Sequence, residues 1–322
     1  MPHKIILDTD PGIDDAMAIF MALAHPDIDL LGITTTFGNV SVTQATHNAL
    51  GLLTLAEVTT IPVAMGASRP SGKSPLPYPE QVHGSDGLGN TLLPTPSCPP
   101  IQATATQFMI DQIRQHPGEI TLVAIGPLGN LAQVLDNAPE LAGQVKQVVL
   151  MGGTLNETGN VSPVAEANMF CDPHAADKVM AADWPVVMLG LDVTHRVLLS
   201  RDLFADIAQH NPTVGAFMQE AAEYYINFYE REREADNGCY GHDISALAYV
   251  IDPKLFETQL GSVCVVTEGT AAGQTIMNTK PKRHYALPHW DNRPQQIAAI
   301  TVDAQSLVRL FHDTLCNRFW QR

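Results

Sequence analysis

The sequence predicts an α/β fold, a mostly parallel central sheet flanked by helices, and three observations carry that prediction. Short apolar runs alternate with segments of helical period along most of the chain. Two of the runs, VVLM at 148–151 and VVMLGL at 186–191, are apolar without alternation, as strands buried on both faces of a parallel sheet must be. The third is scale: 322 residues, 45% hydrophobic and 16% charged, supply one large core and leave little for disordered tails. Residues 1–322 are therefore read as a single domain.

In chain order, the alternation gives a strand at 5–7, a helix at 14–24, a strand at 29–36, a helix at 41–56 and a strand at 61–65. Residues 66–100 are rich in proline, glycine and serine and read as one long loop of the functional kind. The rhythm resumes with a helix at 104–116, a strand at 120–125, a helix at 128–137, a strand at 147–151, a helix at 173–182 and a strand at 185–191. A helical segment at 200–234 with four aromatic residues, Tyr224, Tyr225, Phe228 and Tyr229, precedes a helix at 243–250. Strands at 261–267 and 298–302 and a helix at 304–316 complete the chain.

Charge and cysteine content exclude several functions. With 18 basic against 34 acidic residues the net charge is −16, which opposes binding to nucleic-acid polymers or anionic membranes. Five scattered cysteines without a CxxC pair indicate neither a disulfide framework nor a thiolate zinc site, and point to a reducing compartment. No segment has the ~18 consecutive apolar residues of a membrane span, and the N-terminus lacks a signal-peptide core, so the expected location is the cytoplasm.

Two motif-like stretches are decoys. ASRPSGKS at 67–74 fits a relaxed phosphate-loop pattern, but Pro75, Pro77 and Pro79 forbid the helix that must follow it. DTDPG at 8–12 has its glycine one place early for a calcium EF-hand, and Ile19 stands where a bidentate Glu is required.

The most informative segment is ILDTDPGIDDAMAIF, which sets Asp8, Asp10, Asp14 and Asp15 across the exit of the first strand and the start of its helix. Strand C-terminal ends form the ligand crevice of a parallel sheet, and Pro11-Gly12 can turn Asp10 back towards Asp14 and Asp15. One acidic residue there is explained by helix capping. Four repel one another unless a cation sits among them, and all-oxygen ligands favour Ca²⁺ or Mg²⁺. Asn160, Glu166 and Asn168 follow the strand ending at Met151, where local turns would also account for them. His242 and Asp243 stand where a helix begins, where Asp243 could serve as its N-cap.

DTDPGIDDAMA, TTTFGNV, VHGSDGLGN, VAIGPLGNLA, VVLMGG, NVSPVAEANMFCDP and GHD, taken in order and spacing, resemble the nucleoside hydrolase family of inosine-uridine-preferring type, over residues 5–243. The resemblance implies a Rossmann-like core, a bound Ca²⁺ and hydrolysis of the N-glycosidic bond of ribonucleosides in salvage or catabolism. It maps calcium ligands onto Asp10, Asp15, Asp243 and the backbone carbonyl of Ile125. It maps ribose recognition onto Asp14, Asn39, Met151, Asn160, Glu166 and Asn168, and places His83 and His242 against the base. On this mapping Asp10 takes the proton of the attacking water. His242, with an ordinary pKa near ~6.5, is the expected acid, assisted by Tyr225, Tyr229 or Tyr240. A homodimer or homotetramer is implied.

Two departures from the family pattern are Gly129, often Thr, and Ala167, often aromatic, which enlarges the expected pocket near the sugar. Trp184, Trp290 and Trp320 fall in no base-binding block, which favours uridine, cytidine or broad substrates, inosine included, over strict purine specificity. Two other classes compete: an aspartyl phosphotransferase with Asp8 as nucleophile, and a nucleoside-binding sensor without turnover.

Overall fold

The computed structural model describes residues 2–232, 235–280, 283–286 and 288–317. Its strands are β1 (His3–Thr9), β2 (Ile28–Thr35), β3 (Val63–Met65), β4 (Thr121–Ala124), β5 (Gln147–Met151), β6 (Val186–Leu189), β7 (Leu198–Ser200), β8 (Gly238–Tyr240), β9 (Phe256–Val265), β10 (Thr275–Asn278) and β11 (Gln296–Val302). Nine of them form one sheet in the order β10-β9-β11-β6-β5-β4-β1-β2-β3, parallel from β3 to β11 and antiparallel at β9 and β10. The β7–β8 pair stands apart as a small antiparallel ladder.

The helices are α1 (Ile13–Ala24), α2 (Val42–Leu55), α3 (Glu80–His83), α4 (Ala105–Gln115), α5 (Gly129–Asn137), α6 (Ala167–Cys171), α7 (Pro173–Met180), α8 (Leu191–Thr194), α9 (Arg201–His210), α10 (Val214–Glu232), α11 (His242–Ile251) and α12 (Ala304–Cys316). Side chains alternate across the sheet, so its two faces bury two separate cores. Ile5, Leu7, Val123 and Val149 join α1, α10, α11 and α12 on one face, while Ile6, Leu122, Val148 and Val186 join α4, α5 and α7 on the other. This is the physical reason for the non-alternating apolar strands.

The parallel order 3-2-1-4-5-6 reverses direction between β1 and β4. A doubly wound sheet opens its ligand crevice at such a point, beyond the strand C-termini. Asp10 follows β1 and Ile125 follows β4, and the two strands stay paired to their ends, where Ile125 N–H donates to the Asp8 carbonyl at 2.8 Å.

Most expected elements appear within a few residues of their predicted bounds. The segment expected to be helical over 200–234 is two helices, because Asn211 caps α9 and Pro212 cannot continue it; residues 233 and 234 lie outside the described residues. β9 begins at Phe256, well before the expected strand at 261–267, since residues 257–260 are exposed and carry no apolar run. The loop 66–100 holds the short helix α3, and no helix starts directly after ASRPSGKS: residues 75–79, with their three prolines, are irregular and α3 begins only at Glu80.

Candidate active site

The turn after β1 folds the acidic segment onto itself. Asp15 accepts from Thr9 Oγ1 at 2.5 Å, from the Asp10 N–H at 3.3 Å, from the Gly12 N–H at 2.9 Å and from Asn39 Nδ2 at 3.0 Å. Asp10 accepts the Asn39 N–H through Oδ2 at 2.6 Å, while its Oδ1 is buried without a partner. A Cβ on Gly38 would lie 1.9 Å from Asp10 Oδ2, and one on Gly126 would lie 2.4 Å from Oδ1, so these two glycines make the cradle for this carboxylate.

Asp14 is 7% exposed and Asp243 is 3% exposed, and with Asp15 they offer three carboxylate oxygens within 4.8 Å of one another. Burial, reinforced by the neighbouring carboxylates, pushes Asp10 and Asp243 well above the usual carboxylate range and Asp14 up to about 8. Burial also raises Asp15 and Glu166. Such a cluster cannot stay fully ionised by itself, and no Lys or Arg lines the adjoining cavity among the described residues. With Asp10 Oδ1 and Asp14 Oδ1 both buried and unpartnered, the donor set fits a hard cation.

The cavity above this cluster measures about 410 Å³, within the range of small-molecule sites. The proline-rich loop around Tyr78 and Gln81 lines it as well, with Phe170 and Phe228. Glu166 caps α6, accepting the N–H groups of Asn168 at 2.8 Å, Met169 at 3.1 Å and Gly153 at 2.9 Å. Asn168 Nδ2 donates to the carbonyls of Ile125 at 3.0 Å and Met151 at 3.2 Å, tying the ends of β4 and β5 together. Asn160 Oδ1 accepts the Ala167 N–H at 3.0 Å.

A hydrogen-bonded chain runs along the α10 side of the cavity. Tyr225 donates to Asp14 Oδ2 at 3.2 Å, Tyr229 donates to Tyr225 at 3.1 Å, and His242 Nε2 lies 2.9 Å from Tyr229. Since the single proton of Tyr229 goes to Tyr225, His242 must donate from Nε2, leaving Nδ1 to accept from Thr194 Oγ1 at 2.8 Å. His83 Nδ1 accepts the Ile13 N–H at 3.2 Å, which puts its own N–H on Nε2.

The whole sequence has known relatives. It matches the inosine-uridine preferring nucleoside hydrolase family over residues 5–309. This chain belongs to that family. The hydrolase is 41% identical over 313 residues to a probable uridine nucleosidase 2 of Arabidopsis thaliana, covering 97% of each chain. Its fold superposes on a plant nucleoside hydrolase with a TM-score of 0.94 at 36% identity, over 98% of this chain and 99% of that one. It also superposes on a purine-preferring ribonucleoside hydrolase from Gardnerella vaginalis with a TM-score of 0.91 at 32% identity, over 98% and 99%. Like those proteins, it is an N-glycosyl hydrolase acting on small ribonucleosides.

The fold of the hydrolase brings every sequence-assigned site residue to one place: Asp10, Asp14, Asn39, His83, Ile125, Met151, Asn160, Glu166, Asn168, His242 and Asp243 line the cavity, and Asp15 lies directly behind it. Asp243 is the second residue of α11, whose N-cap is Gly241, so capping does not account for it. Asp14, mapped from the sequence onto ribose recognition, also stands in an acidic triple with Asp15 and Asp243. His242 departs from the expectation of an ordinary histidine: burial first, then His195 and His83, hold its pKa well below 6.5. Burial takes His83 down to about 3, so both imidazoles are neutral.

Of the three tyrosines left open by the sequence, Tyr225 and Tyr229 line the cavity, whereas Tyr240 packs against Tyr229 with ring centroids 4.9 Å apart. Sequence reading missed Thr194, Gly38 and Gly126. The glycines do carry a signal, since both follow strands at the sheet edge that holds the acidic segment, in FGN and IGP. Trp184 is buried with its indole N–H on the Val179 carbonyl, neither it nor Trp290 lines the cavity, and Trp320 lies outside the described residues. Ala167 does line the cavity.

Proposed function

We propose that the hydrolase uses Ca²⁺ to cleave uridine, cytidine or inosine to free base and ribose in nucleoside salvage or catabolism. The observation that carries this reading is the pair of buried, unpartnered oxygens, Asp10 Oδ1 and Asp14 Oδ1, beside Asp15 and Asp243 at the floor of the cavity. Asp10, Asp15, Asp243 and the Ile125 carbonyl would hold the ion, with Asp14 beside it. When bound, the ion neutralises the carboxylates and supplies Lewis acidity towards water and the vicinal hydroxyls of ribose.

Asp10 is the base: held between Gly38 and Gly126, it presents Oδ1 to accept the proton of the attacking water. Asp14 and Glu166 stabilise the positive charge that develops on the sugar as the C–N bond lengthens. Asn160 offers its NH₂ and Asn168 its Oδ1 to ribose hydroxyls, their other atoms being engaged in fixing the loop and strand ends. Neutral His83 offers its Nε2 N–H to the departing base, and His242 and Tyr229 serve it by turning their protons away from Tyr229 and Tyr225, so the negative charge on the base is stabilised by hydrogen bonds and not by an imidazolium.

Pyrimidine or broad use fits a wall of Phe228, Tyr229 and Phe170 without tryptophan. A dimer or tetramer in the cytoplasm completes the reading; among the described residues no helix is long and apolar enough to cross a membrane. The test is release of base and ribose from uridine, cytidine, inosine and adenosine, with and without a calcium chelator. Chelator-sensitive release without phosphate is the expected result. Turnover that is unaffected by thorough chelation refutes the cation dependence.

The phosphotransferase alternative is disfavoured by Asp8, which is fully buried behind the cavity and accepts from Thr34 at 2.6 Å and Asn130 at 2.7 Å. Burial pushes it up to about 7, against both donors.

A further inference from the structure

We propose that Asp206, His312 and Cys316 form a second metal site, selective for a transition-metal ion of the zinc class, which staples α12 to α9. None of the three lines the active-site cavity. Asp206 projects from α9, and His312 and Cys316 stand one turn apart on the same face of α12. Their three donor atoms lie within 4.8 Å of one another, and each residue is partly exposed, which leaves an approach for the ion and a position for water.

The distances suit a tetrahedral ion. Bonds of about 2.0 Å to nitrogen and oxygen and about 2.3 Å to sulfur separate N from S by about 3.5 Å and N from O by about 3.3 Å. Cys316 Sγ already lies 3.5 Å from His312 Nε2. Asp206 Oδ2 lies 2.6 Å from the same nitrogen. It has to move out by only about 0.7 Å as the ion replaces the proton between them.

A further contact points to a metal independently of the three donors. The other imidazole nitrogen, Nδ1, lies 3.0 Å from Asp313 Oδ1. A carboxylate on the far nitrogen of a ligand histidine is the arrangement that recurs at zinc sites, where it fixes the ring and makes the metal-facing nitrogen more basic.

The surroundings attract a cation as well. Cys316 ends α12 and His210 ends α9, with Asp206 one turn inside, so two helix C-terminal turns converge here. Each contributes the negative end of its dipole. Thiolate and imidazole donors select zinc or cobalt over calcium and magnesium, so this site and the all-oxygen cluster take different ions.

Cobalt(II) is the probe, added to the full-length protein in saturating calcium with the cysteines reduced. The expected result is a thiolate-to-cobalt charge-transfer band that saturates at one equivalent and is abolished by one equivalent of zinc. Cys316→Ser should lose the band and Cys98→Ser, at an exposed cysteine, should keep it. Zinc should raise the unfolding temperature of the wild type and of Cys98→Ser but not of Cys316→Ser or His312→Gln. No charge-transfer band in the wild type, or an undiminished band in Cys316→Ser, overturns the proposal.

Discussion

The Oη of Tyr229 lies 2.9 Å from Nε2 of His242. Because Tyr229 spends its proton on Tyr225, the imidazole is the donor in this contact, and the whole chain from Thr194 to Asp14 points its protons in one direction. That direction ends on the Asp14 carboxylate, so a departing base gains a hydrogen bond from this side when Tyr229 or His242 turns its proton from the chain to the base.

Removing either donor should therefore slow cleavage without weakening sugar binding. His242→Asn and Tyr229→Phe are each expected to lower kcat by about 10²-fold with KM little changed, the scale of one lost donor at a reacting group. Steady-state kinetics on uridine measure this. A riboside with an acidic leaving group that needs no such help should lose far less. Equal losses on both substrates would assign the pair to structure and not to the leaving group.

Asp8 and Asp10 are separated by one residue but differ in what they face. Asp10→Asn removes the unpartnered acceptor in the cavity and is expected to cost at least about 10³-fold in kcat. Asp8→Asn keeps a side chain that can still accept from Thr34 and Asn130 and should leave kcat within a few-fold of wild type. The opposite ranking would restore the nucleophile role for Asp8.

The acidic half of this site was legible in the chain because Asp10, Asp14 and Asp15 are local: one strand exit, one turn and one helical turn bring them together. Asn160, Glu166, Asn168 and Asp243 stood out as polar residues but took their roles from the family resemblance, since the sheet order β5-β4-β1 and the packing of α11 on α1 and β5 decide that they face the same crevice. The choice of Tyr225 and Tyr229 over Tyr240 depends on how α10 packs on α1, which no periodicity encodes. β7 and β8 went unseen because each is three residues long and exists only through the other. The low pKa of His242 escaped notice for a related reason: burial is a property of the folded chain, and a sequence presents every histidine as ordinary.

Gly38 and Gly126 test whether the space around Asp10 matters as much as its charge. A methyl group at either position would meet the carboxylate at less than van der Waals distance, 1.9 Å and 2.4 Å respectively. Gly38→Ala and Gly126→Ala should each cut kcat by about 10²-fold, the penalty of roughly an ångström's misplacement. Circular dichroism should remain native. Unchanged kinetics in both variants would show that Asp10 is free to move and would remove the cradle from the mechanism.

The carboxylates also set how stability depends on pH and cation. Burial raises Asp8 to about 7 and Asp14 to about 8 in the folded chain. Between an unfolded value of ~3.9 and those values, the folded state binds more protons than the unfolded state, so stability falls as pH rises. His83 and His242 act in the opposite sense, because their folded values are depressed, but only below about pH 6.5, the unfolded value. Above that pH both are neutral in either state, and the raised carboxylates, with a smaller contribution of the same sign from partly exposed His312, set the trend. Chelated protein should therefore lose several degrees of melting temperature between pH 6.5 and 8.5. A cation held beside Asp14 favours its ionised form, so calcium should abolish most of that loss, and the temperature increment it provides should grow with pH. Thermal melts at four pH values, with chelator or with calcium, measure this. An increment that is constant or shrinks with pH would mean that the ion does not bind among these carboxylates.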